Sequence, residues 1–211
     1  MQSGFRVAVL ISGRGSNLKA LLDNAQHYNI IAVLSDNPDA PGLTFAHERR
    51  IPCHAFKGAK AIVKEAIFNK CRELDPDLIA LAGFMQIIPP AFVDIFYGKI
   101  VNIHPSLLPA FPGLDTHRRA IEAGAKQHGC SVHFVDKGVD TGPLIAQASL
   151  EILPKDNKES LAARVLALEH CLYPWVVSAL ARREIRLEKG HVYLSATAVK
   201  EAGRQGFLTT P

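Results

Sequence analysis

An amide, an imidazole and a carboxylate form the most chemically suggestive set of residues in the sequence. Asn102 and His104 lie two residues apart at the end of an apolar run that Pro105 ends, and Asp140 follows within the turn-rich segment 136–143. Alternate residues of a strand share a face, so both side chains would project together. A carboxamide stabilises an oxyanion, an imidazole moves protons, and an aspartate orients a histidine or a water. The set suits reaction at a carbonyl, whereas each residue taken alone is more simply a polar strand end or a turn residue.

A glycine-rich turn is the second candidate site. Residues 12–17 read Ser-Gly-Arg-Gly-Ser-Asn where a predicted strand passes into a predicted helix. Glycines permit close approach of an anion, and the first N–H groups of a helix point outward, so a phosphate would fit. An ordinary strand-to-helix turn favours the same residue types and is equally well supported. Leu18 stands where a dinucleotide fingerprint has its third glycine, and no Gly-Lys-Ser/Thr of a Walker loop follows.

The other polar residues have less support from the sequence as members of a functional site. His117 and His133 are candidates to support the trio of Asn102, His104 and Asp140, and no pair of histidines has metal-ligand spacing, so no metal is predicted. Glu169 lies in a predicted long helix beside an apolar stripe, where it would bind a sugar hydroxyl or simply face solvent. The most direct interpretation of Trp175 is a core residue.

Composition restricts the class of protein. The chain has 211 residues, 48% of them hydrophobic and 21% charged, which is typical of one globular domain. A formal net charge of +4 with 7% aromatic residues gives no support for nucleic-acid binding and suits an anionic small molecule. Four cysteines without a paired framework, no membrane-length apolar run and no signal-peptide core predict a cytoplasmic protein.

Strands alternate with helices through the first half of the sequence. Apolar runs predict five strands, at residues 7–11, 30–34, 51–56, 78–82 and 100–104. The first helix is expected from Ser16, the second through about Arg50, and the third with one apolar face that includes Val63, Ile67, Cys71 and Leu74. This order predicts an α/β fold, an open, mostly parallel twisted sheet of Rossmann-like type with helices on both faces. Ligands are therefore expected at the carboxyl ends of the strands.

The alternation of predicted strands and helices stops after Gly129. Two strand-like runs, 130–135 and 144–150, predict antiparallel additions in the C-terminal half. Residues 156–159 suggest a capping box that opens a long helix, and residues 184–195 suggest a hairpin around Lys189-Gly190. The apolar stripe expected on that helix is Leu161, Val165, Leu168, Leu172, Trp175 and Ala179.

Six segments taken in order resemble one known family. They are residues 11–17, 81–85, 102–109, 112–117, 131–134 and 140–143. Together they resemble the folate-dependent phosphoribosylglycinamide formyltransferases of purine biosynthesis, from Val7 to about Tyr173 and more weakly beyond. The Asn-x-His-Pro-Ser-Leu-Leu-Pro run with the later aspartate is typical of folate-dependent formyl transfer. The opening Ser-Gly-x-Gly-Ser-Asn and the Glu-His of the long helix narrow the resemblance to the glycinamide ribonucleotide enzymes.

The resemblance implies a role for each candidate. The implied catalytic residues are Asn102, His104 and Asp140. The implied ribonucleotide-binding residues are Gly15, Ser16 and Asn17 at the phosphate and Glu169 at the ribose. The implied folate-binding residues are Lys60, Met85, Gln86, Ile87, Ile88, Asn102, Asp136, Lys137, Gly138, Val139 and Asp140. Formyl transfer from the co-substrate 10-formyltetrahydrofolate to the ribonucleotide amine would proceed by direct attack through a tetrahedral intermediate, without a metal.

The same resemblance implies a domain organisation, and the sequence departs from its relatives at two positions. Residues 1–211 would form a single formyltransferase domain, with a ribonucleotide half over about 1–100 and a folate and catalytic half over about 101–211. The partners expected are small-molecule substrates, with no nucleic acid or membrane, and the chain would be a monomer or homodimer. Gln86 replaces an arginine common in relatives, and Leu166 stands where a polar or basic residue often helps to hold the phosphate.

Three alternatives share parts of this pattern. A formyltetrahydrofolate hydrolase would carry an added amino-terminal domain, for which the residues before Val7 are expected to leave no room. A methionyl-tRNA formyltransferase would need a carboxy-terminal nucleic-acid-binding domain. A non-catalytic folate- or nucleotide-binding module would need neither His104 nor Asp140.

Overall fold

Parallel strands separated by helices form the first part of the fold. The computed structural model describes residues 4–209, and the chain divides into one unit up to Val101 and another from Asn102 onward. The elements of the first unit are β1 (Phe5–Ile11), α1 (Ser16–Asp23), β2 (Tyr28–Ser35), α2 (Leu43–Glu48), β3 (Cys53–Ala55), α3 (Lys60–Leu74), β4 (Leu78–Leu81) and α4 (Pro90–Ile95). Its strands lie in the order β4-β1-β2-β3, and each pair is parallel.

The centre of the first unit is β1, as its unbroken apolar sequence predicts. The side chains from Val7 to Ile11 are inaccessible to solvent, because β2 and β4 flank the strand and helices cover it. On α3, Val63, Ile67 and Cys71 are buried as predicted, whereas Leu74 is only half-buried at the end of the helix. All five predicted strands are present, with their ends shifted by at most two residues.

Antiparallel strands and one long helix dominate the second unit. The division between the units falls within β5 (Ile100–His104), and the later elements are α5 (Thr116–Glu122), β6 (Gln127–Phe134), β7 (Leu144–Glu151), α6 (Lys158–Ala181), β8 (Ile185–Glu188), β9 (His191–Leu194), α7 (Ala196–Gln205) and β10 (Leu208–Thr209). The strand order is β5-β6-β7-β10, and the β6–β7 and β7–β10 pairs are antiparallel. The predicted class, a mostly parallel Rossmann-like α/β fold with antiparallel additions in the C-terminal half, is confirmed.

The predicted hairpin near the C-terminus is also confirmed. Strands β8 and β9 pair with each other in an antiparallel sheet of their own. The two connecting residues, Lys189 and Gly190, have φ values of 51° and 83°. Two successive positive φ values match the right-handed twist of a tight hairpin, which explains why a glycine occupies this turn. No sequence pattern predicted α7 and β10, which follow the hairpin.

Two predictions about α6 are wrong in detail. The capping box lies one residue later than expected, because Asn157 accepts from the Ser160 N–H and Ser160 accepts from the Asn157 N–H. Asp156 instead binds Arg164 and the hydroxyl of Ser160. The apolar stripe is also interrupted, since Leu168 is only half-buried. From 172 to 180 every side chain of α6 is buried, so this part of the helix is a core element on all sides rather than an amphipathic one.

Candidate active site

The carboxyl end of β5 presents the amide and the imidazole. Asn102 is half-buried and His104 is buried, with a side chain that is 6% exposed. The ring of His104 lies between two acceptors: Nε2 is 3.0 Å from the Phe111 carbonyl oxygen, and Nδ1 is 3.3 Å from Asp140 Oδ2. His104 and Asp140 therefore lie side by side, and Asn102 is two residues before His104 on the same strand.

Asp140 reaches the histidine from the loop between β6 and β7. Its backbone lies in the left-handed region at φ 54°, and the Gly113 N–H donates to Oδ2 at 2.8 Å. Two residues later, a Cβ on Gly142 would lie 1.9 Å from the Phe134 carbonyl oxygen, so only glycine allows the loop to approach β6 this closely. The Gly-Pro segment after Asp140 thus contributes to placing the carboxylate.

His133 orients the carboxamide of Asn102. Its Nδ1 lies 2.8 Å from the Phe134 carbonyl oxygen, which can only accept, so this nitrogen carries the proton of the neutral ring. Nε2 then accepts from Asn102 Nδ2 at 3.3 Å. The second N–H of the amide is left to stabilise charge in the site. His133 also lies 3.7 Å from Asp140 Oδ1, which is beyond a hydrogen bond.

The same reasoning fixes the proton on His104. The Phe111 carbonyl can only accept, so neutral His104 carries its proton on Nε2 and directs the Nδ1 lone pair toward Asp140. Protonation at Nδ1 would convert this contact into a hydrogen-bonded ion pair. The site is therefore built to hold the imidazolium that forms when the ring accepts a proton.

Burial and charge set the protonation states of the pair. Burial lowers the pKa of His104 below its ordinary value, while the Phe111 carbonyl and the Asp140 carboxylate act in the opposite direction. Burial opposes ionisation of Asp140, but the Gly113 N–H and the neighbouring His104 hold the pKa of this carboxyl below its usual range. Near neutral pH the pair is thus a carboxylate beside a neutral ring that can accept a proton.

The glycine-rich turn leads into α1 in the first unit. Gly15 has φ 71°, Ser16 begins the helix half-buried and Asn17 is buried. A Cβ on Gly15 would lie 2.5 Å from the Gly42 Cα, so the backbones pack directly against each other. Within the described residues no side chain caps this helix end, which leaves its N-terminus suited to an anion.

Replacement of Gly15 by alanine is expected to destabilise the protein by about 2 kcal/mol, because the substitution combines a left-handed backbone with a backbone clash. Urea unfolding would measure the loss. The matched control is Gly13→Ala, since a Cβ at Gly13 meets nothing within 4 Å. Equal stability of the two variants would contradict the packing described here.

The segment after β4 is tied to the same turn. Ser12 donates its N–H to the Gly83 carbonyl at 3.1 Å and its hydroxyl accepts from the Met85 N–H at 2.9 Å. Gln86 donates from Nε2 to Asp36 Oδ2 at 2.8 Å. The glycine turn, the end of β2 and the segment 83–86 therefore form one connected group within the first unit.

The remaining predicted folate residues differ in exposure. In the first unit, Met85 and Ile87 are 66% and 68% exposed, Ile88 is buried, and Lys60 is exposed as the first residue of α3. In the second unit, Asp136 accepts from the Gly138 N–H and the Thr141 hydroxyl, which shapes a turn that leaves Lys137, Gly138 and Val139 exposed. Because the side chain of Ile88 is buried, a contact there would be made by its backbone.

Glu169 occupies an unusual place on α6. It is a carboxylate with only 7% exposure in the buried part of the helix, whereas Leu166 is half-buried. Burial, followed by the nearby charge of Glu169, raises the pKa of the Cys130 thiol on β6, which places the carboxylate close to that strand. A solvated helix face, the alternative interpretation from spacing, is therefore wrong for this residue.

The loop between β5 and α5, which supports His104 and Asp140, was not predicted from the sequence. Phe111 and Gly113 hold His104 and Asp140 through backbone atoms, which no side-chain pattern reveals. His117, expected as a supporting residue, instead contacts buried His128, with Nδ1 3.1 Å from Nε2. Burial lowers the pKa of His128 to about 4, so that ring is neutral.

Comparison with known proteins agrees with this geometry. The formyl transferase family model matches residues 5–177, and the chain therefore belongs to the formyl transferase family. The chain is 41% identical to phosphoribosylglycinamide formyltransferase of Escherichia coli, over 93% of this chain and 97% of that protein. It is also 41% identical to the enzyme of the same name from Bacillus subtilis, over 87% and 98% of the two chains.

A solved structure shows the same fold. The phosphoribosylglycinamide formyltransferase of Anaplasma phagocytophilum superposes with a TM-score of 0.87 at 45% identity, covering 92% of this chain and 96% of that one. In residues 4–209 no group of three or more His, Cys, Asp or Glu side chains could hold a metal ion. No helix in that range is long and apolar enough to span a membrane.

Proposed function

We propose that this chain transfers the formyl group of 10-formyltetrahydrofolate to the amine of glycinamide ribonucleotide, a step of de novo purine biosynthesis. The observation that carries the proposal is the pairing of buried His104 with Asp140, beside an Asn102 amide that His133 orients, in a chain of the formyl transferase family. A carboxamide donor, a proton acceptor and a carboxylate are the groups that formyl transfer to an amine needs.

The first chemical step is attack of the ribonucleotide amine on the formyl carbon. A carbon–nitrogen bond forms, and the carbonyl electron pair moves onto oxygen. The N–H of Asn102 that is not held by His133 stabilises that oxyanion. Because His133 fixes the amide before substrate binds, little reorganisation is required in the transition state.

The second step is collapse of the tetrahedral intermediate. The bond from the formyl carbon to the folate nitrogen breaks, the attacking amine loses one proton, and the leaving nitrogen gains one. His104 and a water positioned by Asp140 relay this proton, with the Asp140 carboxylate stabilising the transient imidazolium. Proton loss and gain therefore balance. The proposed steps use neither a metal nor a covalent enzyme intermediate.

The proposed substrate-binding residues are those that the resemblance implies. The N–H groups of Gly15, Ser16 and Asn17 would hold the ribonucleotide phosphate, and Glu169 would accept from the ribose hydroxyls. The folate-binding residues are those predicted from the resemblance: Lys60, Met85 to Ile88, Asn102 and Asp136 to Asp140. Gln86 is engaged by Asp36, so the backbone of this segment is the part proposed to contact folate. Residues 1–211 would form a single formyltransferase domain.

Two further properties proposed for the enzyme are its cellular location and its oligomeric state. A cytoplasmic location and a monomeric or homodimeric state would suit small-molecule substrates without a nucleic-acid or membrane partner. Sedimentation at several protein concentrations would distinguish the two assembly states.

A spectrophotometric assay of folate product, with and without glycinamide ribonucleotide, tests the function. The same trio would serve a hydrolase if a water replaced the amine. Product that requires the ribonucleotide would support the transferase, whereas product formed equally without it would indicate formyltetrahydrofolate hydrolysis. Binding of either ligand without turnover would instead indicate a non-catalytic module.

The pH dependence of the reaction should show an acidic limb. Both the attacking amine and His104 act in their neutral forms, so the rate should fall as the pH drops and either group becomes protonated. Burial places the His104 pKa below its ordinary value of 6.5, so its contribution to the limb should lie below that pH in the free enzyme. The profile of kcat/KM measures this, and a flat profile from acid to neutral pH would contradict amine attack.

A further inference from the structure

One short loop holds both ionisable members of the trio. The Phe111 carbonyl accepts from His104 Nε2 at 3.0 Å, and the Gly113 N–H donates to Asp140 Oδ2 at 2.8 Å. These two backbone groups are only two residues apart. A shift of the loop 111–114 would therefore displace the imidazole and the carboxylate together.

The loop is not in a conformation that its own residues favour. Phe111 has φ 54°, which costs energy for a residue with a large side chain and persists only where surrounding contacts impose it. The side chain of Leu114 is 78% exposed, so burial of that residue does not anchor the end of the loop. Contacts from outside the loop therefore hold it: the Phe111 ring lies edge-on to the His128 ring, with centroids 6.2 Å apart. A further contact reaches the carbonyls of Pro112 and Leu114.

Arg119 on α5 supplies that contact. Its Nη1 donates to the Pro112 carbonyl at 2.5 Å and to the Leu114 carbonyl at 3.3 Å. Its guanidinium carbon also lies 5.7 Å from the centre of the Phe111 ring, a cation–π distance. One side chain thus contacts three of the four loop residues.

We propose that Arg119 is a positioning residue for formyl transfer, which fixes His104 and Asp140 through the loop 111–114. The inference rests on the proposed function, because it assigns a purpose to the geometry of the trio. A planar guanidinium can contact carbonyls with its N–H groups while its face lies on an aromatic ring, and a lysine ammonium cannot do both. The role is therefore specific to arginine.

Arg118 offers a matched control on the same helix. It carries the same charge one residue earlier, but its partners are Asp115 and Glu122 at the surface. Arg119→Ala is expected to lower kcat by about 10- to 100-fold, since small displacements of catalytic groups have effects of this size. Arg118→Ala should stay within about twofold of the wild type. Arg119→Lys should recover at most part of the loss.

The positioning itself is measured in the ligand-free protein. ¹⁵N-edited NMR should show a His104 Nε2–H signal, protected by the Phe111 carbonyl, in the wild type and in Arg118→Ala, and the signal should be lost or broadened in Arg119→Ala. The proposal would be overturned by wild-type kcat in Arg119→Ala, by an equal loss in Arg118→Ala, by full rescue with lysine, or by an unchanged His104 signal. Wild-type protein without ribonucleotide-dependent turnover would contradict the proposed function alone, and the NMR comparison, which needs no substrate, would then decide the positioning role.

Discussion

Replacement of His104 by asparagine should lower kcat by about 10³-fold or more, because the reaction loses the group that accepts and returns the proton. Asparagine retains a polar group near the position of one ring nitrogen but cannot accept a proton at neutral pH. The ring is buried between the Phe111 carbonyl and Asp140, and asparagine offers no titratable nitrogen at that position. Steady-state kinetics with both substrates would measure the loss.

The expected effect of His104→Asn is confined to turnover. The KM for the ribonucleotide should change little, because the proposed phosphate-binding residues lie in the glycine turn at the start of α1. His191→Asn is a suitable control, since His191 is an exposed residue of the β8–β9 hairpin. Turnover of His104→Asn close to that of this control would rule out the mechanism.

Replacement of Asp140 by asparagine should lower kcat by about 10²- to 10³-fold. The amide has the same shape as the carboxylate and can still accept from the Gly113 N–H, so the loop should keep its conformation. What is lost is the negative charge 3.3 Å from His104 Nδ1, which stabilises the protonated ring. The imidazolium that forms during proton transfer would then be buried without a counter-ion.

Asp140→Asn also tests the direction in which the carboxylate shifts the pKa of His104. Asp140 raises the pKa of His104 against the effect of burial, so its neutralisation should lower that pKa further. An NMR titration of the His104 ring in Asp140→Asn should therefore show a midpoint at lower pH than in the wild type. Glu188→Gln removes an exposed carboxylate of β8 and should change neither kcat nor the titration. An unchanged or higher midpoint in Asp140→Asn would show that the carboxylate does not act on the ring as described.

Local pattern predicted most of the architecture, although not α7 and β10. The apolar run at 7–11 favoured a strand buried on both faces, and its alternation with helical segments implied a parallel sheet. At the end of β5, just before Pro105, the alternation of side chains along a strand already placed Asn102 and His104 on one face. The errors fell where neighbouring residues compete, as at the α6 cap, where Asn157 rather than Asp156 accepts the helix N–H. Side-chain type alone does not separate two adjacent capping residues.

The sequence by itself determined the α/β class, the approximate positions of the strands and the residue types available for formyl transfer, because these depend on periodicity and on chemistry carried within short segments. Only the tertiary structure decided how those groups are held. The contact of Phe111 with His104, the orientation of Asn102 by His133 and the position of Arg119 over the loop 111–114 all join residues that no local pattern relates. Backbone acceptors and donors look alike at every position of a sequence, so folding alone selects which of them face the reacting groups.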